Sequence, residues 1–163
     1  MKKLVLVLGD QLDIDSPALK NIDPQLDQVV MIESANEAQH VWSHKAKIAL
    51  FLSAMRHFAQ HLNNLGLPLI YIQHSPKTIV EELRNNIIEG KFTHLVCVEP
   101  GEWRLKVAIE ELASEFNIAL EMHEDSHFYC SHREFKSWVT NKKELRLEYF
   151  YRLMRKTHGV LVD

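Results

Sequence analysis

The sequence predicts a doubly wound, Rossmann-like α/β fold with a five-stranded parallel sheet flanked by helices. Short apolar runs alternate along the chain with longer segments of helical periodicity, which gives the order strand, helix, strand. Residues 4–8 and 95–98 are continuously apolar rather than alternating, as expected of strands that helices cover on both faces. Strands joined through helices in this way run parallel to one another.

The strands are predicted from five apolar runs, at residues 4–8, 29–32, 67–72, 94–98 and 118–122. Residues 44–65 form the strongest predicted helix, because their apolar positions recur every three or four residues. Gly66 and Pro68 follow it, as is typical of a helix end. Four further helices are predicted, at residues 78–88, 102–116, 131–139 and 145–156.

The composition suits one ordinary globular domain. The 163 residues include 19 Lys and Arg against 22 Asp and Glu, a formal net charge of −3. We expect an α/β domain over residues 1–140, followed by a helix and the start of a linker over 141–163. The net negative charge argues against DNA binding by this chain alone. No apolar stretch is long enough to span a membrane.

The chain shows no export signal, and its two cysteines are Cys97 and Cys130. Reduced thiols and a cytoplasmic location are therefore expected. The apolar residues at the carboxyl end predict that the natural chain continues, and an exposed surface there predicts some self-association.

Candidate binding residues follow the predicted strands, where parallel sheets bind their ligands. Gly9, Asp10 and Gln11 follow the first strand, and Glu33 and Glu37 lie at the end of the second. Neither a G-x-G-x-x-G motif nor a P-loop is present, so a dinucleotide or triphosphate site is not indicated. Carboxylates and amides with few cations favour a neutral polar heterocycle that carries N–H groups or hydroxyls. Turn or helix capping by the same acidic residues remains an alternative.

A second group, His123, His127, Cys130 and His132, has residue types that ligate zinc. A metal-dependent enzyme is therefore one alternative, and a simple polar connection is the other. The basic and aromatic segment 142–156 could contact nucleic acid, although docking to another domain is preferred because its aromatic residues share one helix face.

Five segments carry a resemblance to a known family. They are LGDQL at residues 8–12, HKAKI at 44–48, LSAMRHF at 52–58, EPGEW at 99–103 and LRLEYFYR at 145–152. Together they resemble the amino-terminal α/β domain of the deoxyribodipyrimidine photolyase-related family. This family is the prokaryotic iron–sulfur branch of the photolyase/cryptochrome superfamily, and the resemblance covers nearly the whole chain.

The resemblance implies a light-harvesting role. In the family the α/β domain holds an antenna, in characterised relatives a 6,7-dimethyl-8-ribityllumazine, which passes excitation to FAD for the repair of pyrimidine photoproducts in DNA. FAD and an iron–sulfur cluster belong to a carboxyl-terminal helical domain that these residues do not contain. That domain is the expected partner, damaged DNA is expected to bind only through the parent photo-lyase, and this segment alone is expected to be non-catalytic.

The resemblance implies that six residues bind the antenna, namely Gly9, Asp10, Gln11, Glu33, Glu37 and His40. His40 stands where relatives are expected to have a tyrosine, so the resemblance supports polar contacts there better than stacking. A self-sufficient small-molecule or nucleotide-binding module is the remaining alternative, beside the metal enzyme of His123, His127 and Cys130.

Overall fold

The computed structural model describes residues 1–35, 43–140 and 142–161, and it contains one five-stranded parallel sheet. The strands are β1 (Lys3–Leu6), β2 (Gln28–Ser34), β3 (Leu69–Ser75), β4 (His94–Val98) and β5 (Ala119–His123). Their order across the sheet is β3-β2-β1-β4-β5, and every pair is parallel. The predicted doubly wound α/β fold is therefore confirmed.

Helices connect the strands and follow the sheet. They are α1 (Lys45–Asn64), α2 (Ile79–Gly90), α3 (Trp103–Glu115), α4 (His132–Val139) and α5 (Leu147–His158). A short 3-10 helix, Pro17–Leu19, which the sequence analysis did not predict, precedes β2. None of the helices in the described ranges combines the length and the apolar character that crossing a bilayer demands.

The sheet has a hydrophobic core on each face, as continuously apolar strands predict. On one face Leu4, Leu6 and Leu95 of the strands pack with buried residues of α2 and α3. On the other face Val5 and Val96 pack with buried residues of α1 and the 3-10 helix. Because alternate residues of a strand point to opposite faces, β1 contributes to both cores.

The strand order fixes the place of a ligand site. The chain runs outward from β1 to β2 and β3, then returns to lay β4 on the other side of β1. The segments that follow β1 and β4 therefore diverge at the carboxyl end of the sheet, which opens a crevice there.

The chain divides into two compact units, Met1–His123 and Glu124–Asp163. The first contains the sheet and α1 to α3. In the second, α4 and α5 share a cluster of aromatic rings, with Phe150 at 5.0 Å from Phe135 and 4.9 Å from Trp138 between ring centroids. The domain boundary after residue 140 stays a prediction.

Candidate functional site

A cavity of about 330 Å³ lies at the carboxyl end of the sheet. Its walls come from the segments after β1 and β4, from the end of β2 and from α1. Ile79 of α2 and Leu105 of α3 complete the apolar part of the lining. The volume lies at the lower end of the range for small-molecule pockets, roughly 300–1,000 Å³. This is the crevice in which the sequence analysis placed a ligand.

The cavity has a mainly apolar wall along one side of α1. Ile48, Phe51, Leu52 and Met55 line it, at the spacing of neighbouring turns of one helix face. The side chain of Phe51 is 44% exposed in the folded domain. A half-exposed ring at the mouth of a cavity offers a flat surface for a planar ligand.

Gly9 lets α1 approach the end of β1. A Cβ atom at this position would lie 2.6 Å from two ring atoms of Phe51 and 2.8 Å from the sulfur of Met55. These distances are well inside van der Waals contact, which begins at about 3.5 Å between carbon atoms. Any side chain at position 9 would therefore push against the apolar wall of the cavity.

Glu33 lines the cavity, but its carboxylate is already engaged in a buried network. Its side chain is 2% exposed and forms a bidentate ion pair with Arg56, with Nε and Nη2 donating at 2.9 and 3.1 Å. The hydroxyl of Tyr71 donates to the same carboxylate at 2.5 Å, and the backbone N–H of His74 donates at 3.3 Å. His74 has a positive φ of 52° beside a register shift between β2 and β3. The carboxylate thus satisfies the backbone where the strand pairing is irregular.

The network changes the acidity of two groups. Burial alone raises the pKa of the Glu33 carboxyl, but the hydrogen bonds from Arg56, Tyr71 and His74 outweigh it and hold this pKa below its ordinary value. Burial and the neighbouring Glu33 carboxylate raise the pKa of Tyr71. Glu33 is therefore ionised and Tyr71 neutral at physiological pH.

Gln11 fixes the position of two segments beside the crevice through a side-chain hydrogen bond. It is buried, and its Nε2 donates to the backbone carbonyl of Glu99 at 2.8 Å. This bond joins the segment after β1 to the end of β4, the two segments that diverge around the crevice. The side chain of Glu99 in turn accepts from Lys106 of α3 at 2.6 Å.

The crevice is less acidic than its sequence suggested. Glu33, Glu99 and Glu102 each pair with a cation, respectively Arg56, Lys106 and Arg104. Asp10, by contrast, makes no hydrogen bond or ion pair within the part of the chain that the structure describes. A cation, Lys47, also lines the cavity. The expectation of a crevice with few cations is corrected accordingly.

The predicted site residues divide into three groups. Gly9, Asp10 and Glu33 line the cavity. Gln11 is a buried support, outside the lining. Glu37 and His40 lie outside the described residues. Their proposed role in cofactor binding stays a prediction in every case.

The residues that α1 and β3 contribute to the site were not predicted from the sequence. Lys47, Phe51 and Met55 share a helix face whose apolar pattern predicted only core packing. Arg56 and Tyr71 lie 23 and 38 residues from Glu33, so no local spacing connects them. Lys47, Met55 and Arg56 lie in the segments 44–48 and 52–58 that carry the family resemblance. This resemblance was the one signal in the sequence that pointed to them.

The proposed metal ligands include His123 and His127, each of which has a carboxylate partner. The described ranges hold no group of three His, Cys, Asp or Glu side chains arranged to bind a metal ion. His123 pairs with Glu121 at 3.2 Å, and Nδ1 of His127 lies 2.8 Å from Asp125. The metal-enzyme alternative therefore gains no support.

The architecture defines a class of protein, a doubly wound α/β domain with a crevice of small-molecule size at the reversal of strand order. Comparison with known proteins narrows the class. The profile of the family described as "Deoxyribodipyrimidine photo-lyase-related protein" matches residues 5–163. The chain belongs to this family.

A curated relative agrees with the family. The chain is 37% identical over 167 residues to the "(6-4) photolyase" of Agrobacterium fabrum, in an alignment that covers 100% of the chain and 33% of the relative. The chain thus spans about a third of the length of this relative.

Proposed function

We propose that this chain is the amino-terminal, light-harvesting part of a longer photolyase-like protein, and that its crevice holds an antenna of the 8-ribityllumazine type. The cavity of about 330 Å³ beside Gly9 and Asp10 is the observation that carries the proposal. Its volume suits one small heterocycle with a short polar chain. The family membership supplies the photochemical context.

The residues of the crevice fit such a molecule in two respects. The apolar wall of Ile48, Phe51 and Met55 covers a flat ring, and the exposed half of Phe51 lies at the mouth. The Asp10 carboxylate accepts hydrogen bonds from ring N–H groups or from ribityl hydroxyls. Glu33 acts in this proposal as a positioning residue, because its oxygens hold Arg56 and Tyr71.

The electron-transfer chemistry lies outside these residues. A cubane iron–sulfur cluster needs four cysteine ligands, and the 163-residue sequence has two. Buried Cys97 has its pKa raised to about 12 by burial, so it is a poor thiolate ligand. The proposal assigns the cluster, together with FAD and the binding of damaged DNA, to the remainder of a longer chain, and the greater length of the relative supports this assignment.

The contact with such a helical FAD domain is assigned to the second compact unit. Its helix α5 exposes Leu147, Tyr149 and Tyr151 to more than half of their full accessibility. Leu147 and Tyr151 lie one turn apart on the same face, and a contiguous exposed apolar patch is typical of surfaces that meet a partner.

The first test is the near-UV and visible absorption spectrum of the purified chain, recorded before and after incubation with 6,7-dimethyl-8-ribityllumazine and with flavin nucleotides. Unbound ligand is removed before each spectrum. Retained lumazine absorption that Asp10→Ala abolishes supports the proposal. A spectrum of tryptophan and tyrosine alone after every incubation contradicts it.

A further inference from the structure

A second cavity, of about 60 Å³, lies between the 3-10 helix and the strands β1, β4 and β5. We call it the side cavity. Among the described residues, none lines both the side cavity and the crevice. A water molecule takes up about 30 Å³ of the liquid, so the side cavity suits about two waters or one group of a few heavy atoms. A ligand of this cavity is therefore distinct from the ligand proposed for the crevice.

The register of three parallel strands sets the floor of the side cavity. Val5 of β1 pairs with Val96 of β4, and Val96 pairs with Glu121 of β5, so their side chains share one face of the sheet. Residues two apart in a strand also share a face, which adds Lys3 beside Val5 and His123 beside Glu121. The floor therefore has two valines in the middle and polar groups on either side.

The turn after the 3-10 helix forms the opposite wall, where Lys20 and Asn21 lie. Asn21 has a positive φ of 60°, a conformation that asparagine adopts more readily than most residues. The carboxylate of buried Asp27 accepts hydrogen bonds from the backbone N–H groups of Lys3 at 2.8 Å and Asp23 at 2.9 Å. The segment that follows the turn is thus fixed to the start of β1.

Two ammonium groups of the side cavity have no partner within the described ranges. The side chains of Lys3 and Lys20 form no hydrogen bond or ion pair there. Glu121, a carboxylate of the lining, lies 3.2 Å from Nε2 of His123. Lys3 is half-buried at the start of β1, and a lysine that loses water without gaining an anion carries a cost in free energy. The side cavity therefore has an excess of positive charge around a small polar space.

We propose that the side cavity binds a phosphate group, with Lys3 and Lys20 as its cationic ligands and the Asn21 amide as a further donor. A phosphate monoester carries a charge of about −1.5 to −2 at pH 7, which two ammonium groups match. Ammonium and amide N–H groups are donors that phosphate oxygens accept. The small volume admits the phosphate group alone. Its source is either inorganic phosphate or a phosphate monoester whose remainder lies outside the cavity.

The experiment measures the binding of inorganic phosphate to the whole 163-residue chain by isothermal titration calorimetry. Ionic strength is held constant with sodium chloride, because salt screens unspecific attraction between exposed charges. Lys20→Gln is compared with Lys143→Gln, since both replace an exposed lysine and remove the same charge, but only Lys20 lines the side cavity. Lys3→Gln tests the floor. Thermal unfolding without phosphate verifies that all three variants are folded.

The wild-type chain is expected to bind phosphate saturably, at one site. Lys20→Gln and Lys3→Gln should each weaken binding by about tenfold or more, the effect of losing a hydrogen bond to a charged group. Lys143→Gln should keep the wild-type affinity. Phosphate should also raise the Tm of the wild-type chain and of Lys143→Gln more than that of Lys20→Gln, because a ligand that binds only the folded chain stabilises it.

Adenosine 5′-monophosphate distinguishes the two sources of the phosphate group. Competition with inorganic phosphate and tighter binding assign the site to a monoester, whereas binding of inorganic phosphate alone assigns it to the free ion. Two results overturn the inference. One is a wild-type chain that shows no saturable phosphate binding, and the other is an equal affinity for phosphate in all three variants. Neither result bears on lumazine binding in the crevice, so the proposed function is tested separately.

Discussion

Replacing Gly9 by alanine tests whether the close approach of α1 builds the cavity wall. The new Cβ would lie 2.6 Å from Cε1 and Cζ of Phe51 and 2.8 Å from Sδ of Met55. Ordinary carbon contacts lie at about 3.5–4.0 Å, so the overlap is roughly 1 Å. The half-exposed ring of Phe51 can turn outward, whereas Met55 is 2% exposed and can relieve the overlap only by moving into the cavity that it lines.

The expected cost is that of overpacking a close contact, about 1–3 kcal/mol. For a chain of this size the corresponding fall in Tm is roughly 2–12 °C. Urea and thermal unfolding followed by circular dichroism measure both quantities. Lumazine affinity should fall as well, since displacement of Phe51 or Met55 deforms the wall that the ligand contacts.

Gly101→Ala is the matched control. Gly101 also lines the cavity, but no atom lies within 4 Å of the position that its Cβ would take. Alanine there is expected to be neutral or to stabilise the chain by about 0.4–1 kcal/mol, because it restricts the unfolded state. Pairing Gly9→Ala with Phe51→Ala should recover part of the lost stability in a double-mutant cycle. Equal stabilities for Gly9→Ala and Gly101→Ala, with no coupling to Phe51, would refute the reasoning.

Three further predictions concern the groups around the sheet. Tyr71→Phe should destabilise the chain by about 1.5 kcal/mol at pH 7, because Glu33 loses a hydrogen bond to a charged group. Since the pKa of Glu33 is lowered in the folded chain, its stabilising contribution is complete above its ordinary pKa of 4.5 and is lost as the pH falls through the lowered value. Urea unfolding should therefore show the Tyr71→Phe difference shrinking in acid, and a constant difference from pH 7 to pH 2 would contradict this. Thiol titration of the native chain should modify Cys130 but not Cys97, whose pKa is raised to about 12 by burial, and labelling of two thiols before unfolding would be the contrary result. Thr78→Ala should cost about 1 kcal/mol by removing the capping box of α2, and unchanged urea unfolding would exclude that role.

The sheet could be predicted because its signal is local. The runs that became β1 and β4 are apolar throughout, as their burial on both faces requires. The end of β3 is different. It continues past the apolar run through His74 to Ser75, which pairs with Ser34 across a shift in register. Polar residues in an irregular pairing carry no periodic signal, so this extension could not be seen in the sequence.

The location of the site could be predicted from the sequence, but the side-chain contacts within it could not. The rule for parallel sheets locates the crevice after β1, and Gly9 and Asp10 line it as expected. Position 9 needs a glycine because the ring of Phe51 and the sulfur of Met55, more than 40 residues away in the sequence, leave no room for a Cβ atom. Glu33 was predicted from its position after an apolar run, whereas its partner Arg56 depends on how α1 packs across the sheet. Such tertiary pairings cannot be deduced from spacing in one sequence.

The absence of buried residues in α4 and α5 has a consequence for how the chain opens. No residue in the described part of Glu124–Asp163 is buried, and the ring contacts between its helices join three partly exposed side chains, Phe135, Trp138 and Phe150. The free energy needed for local opening is therefore expected to be small there, and that of β1, which is paired with a strand on each side, is expected to be the largest. Amide hydrogens of α4 and α5 should exchange with deuterium first and those of β1 last. This segment is thus the part of the chain whose order a partner can most readily change.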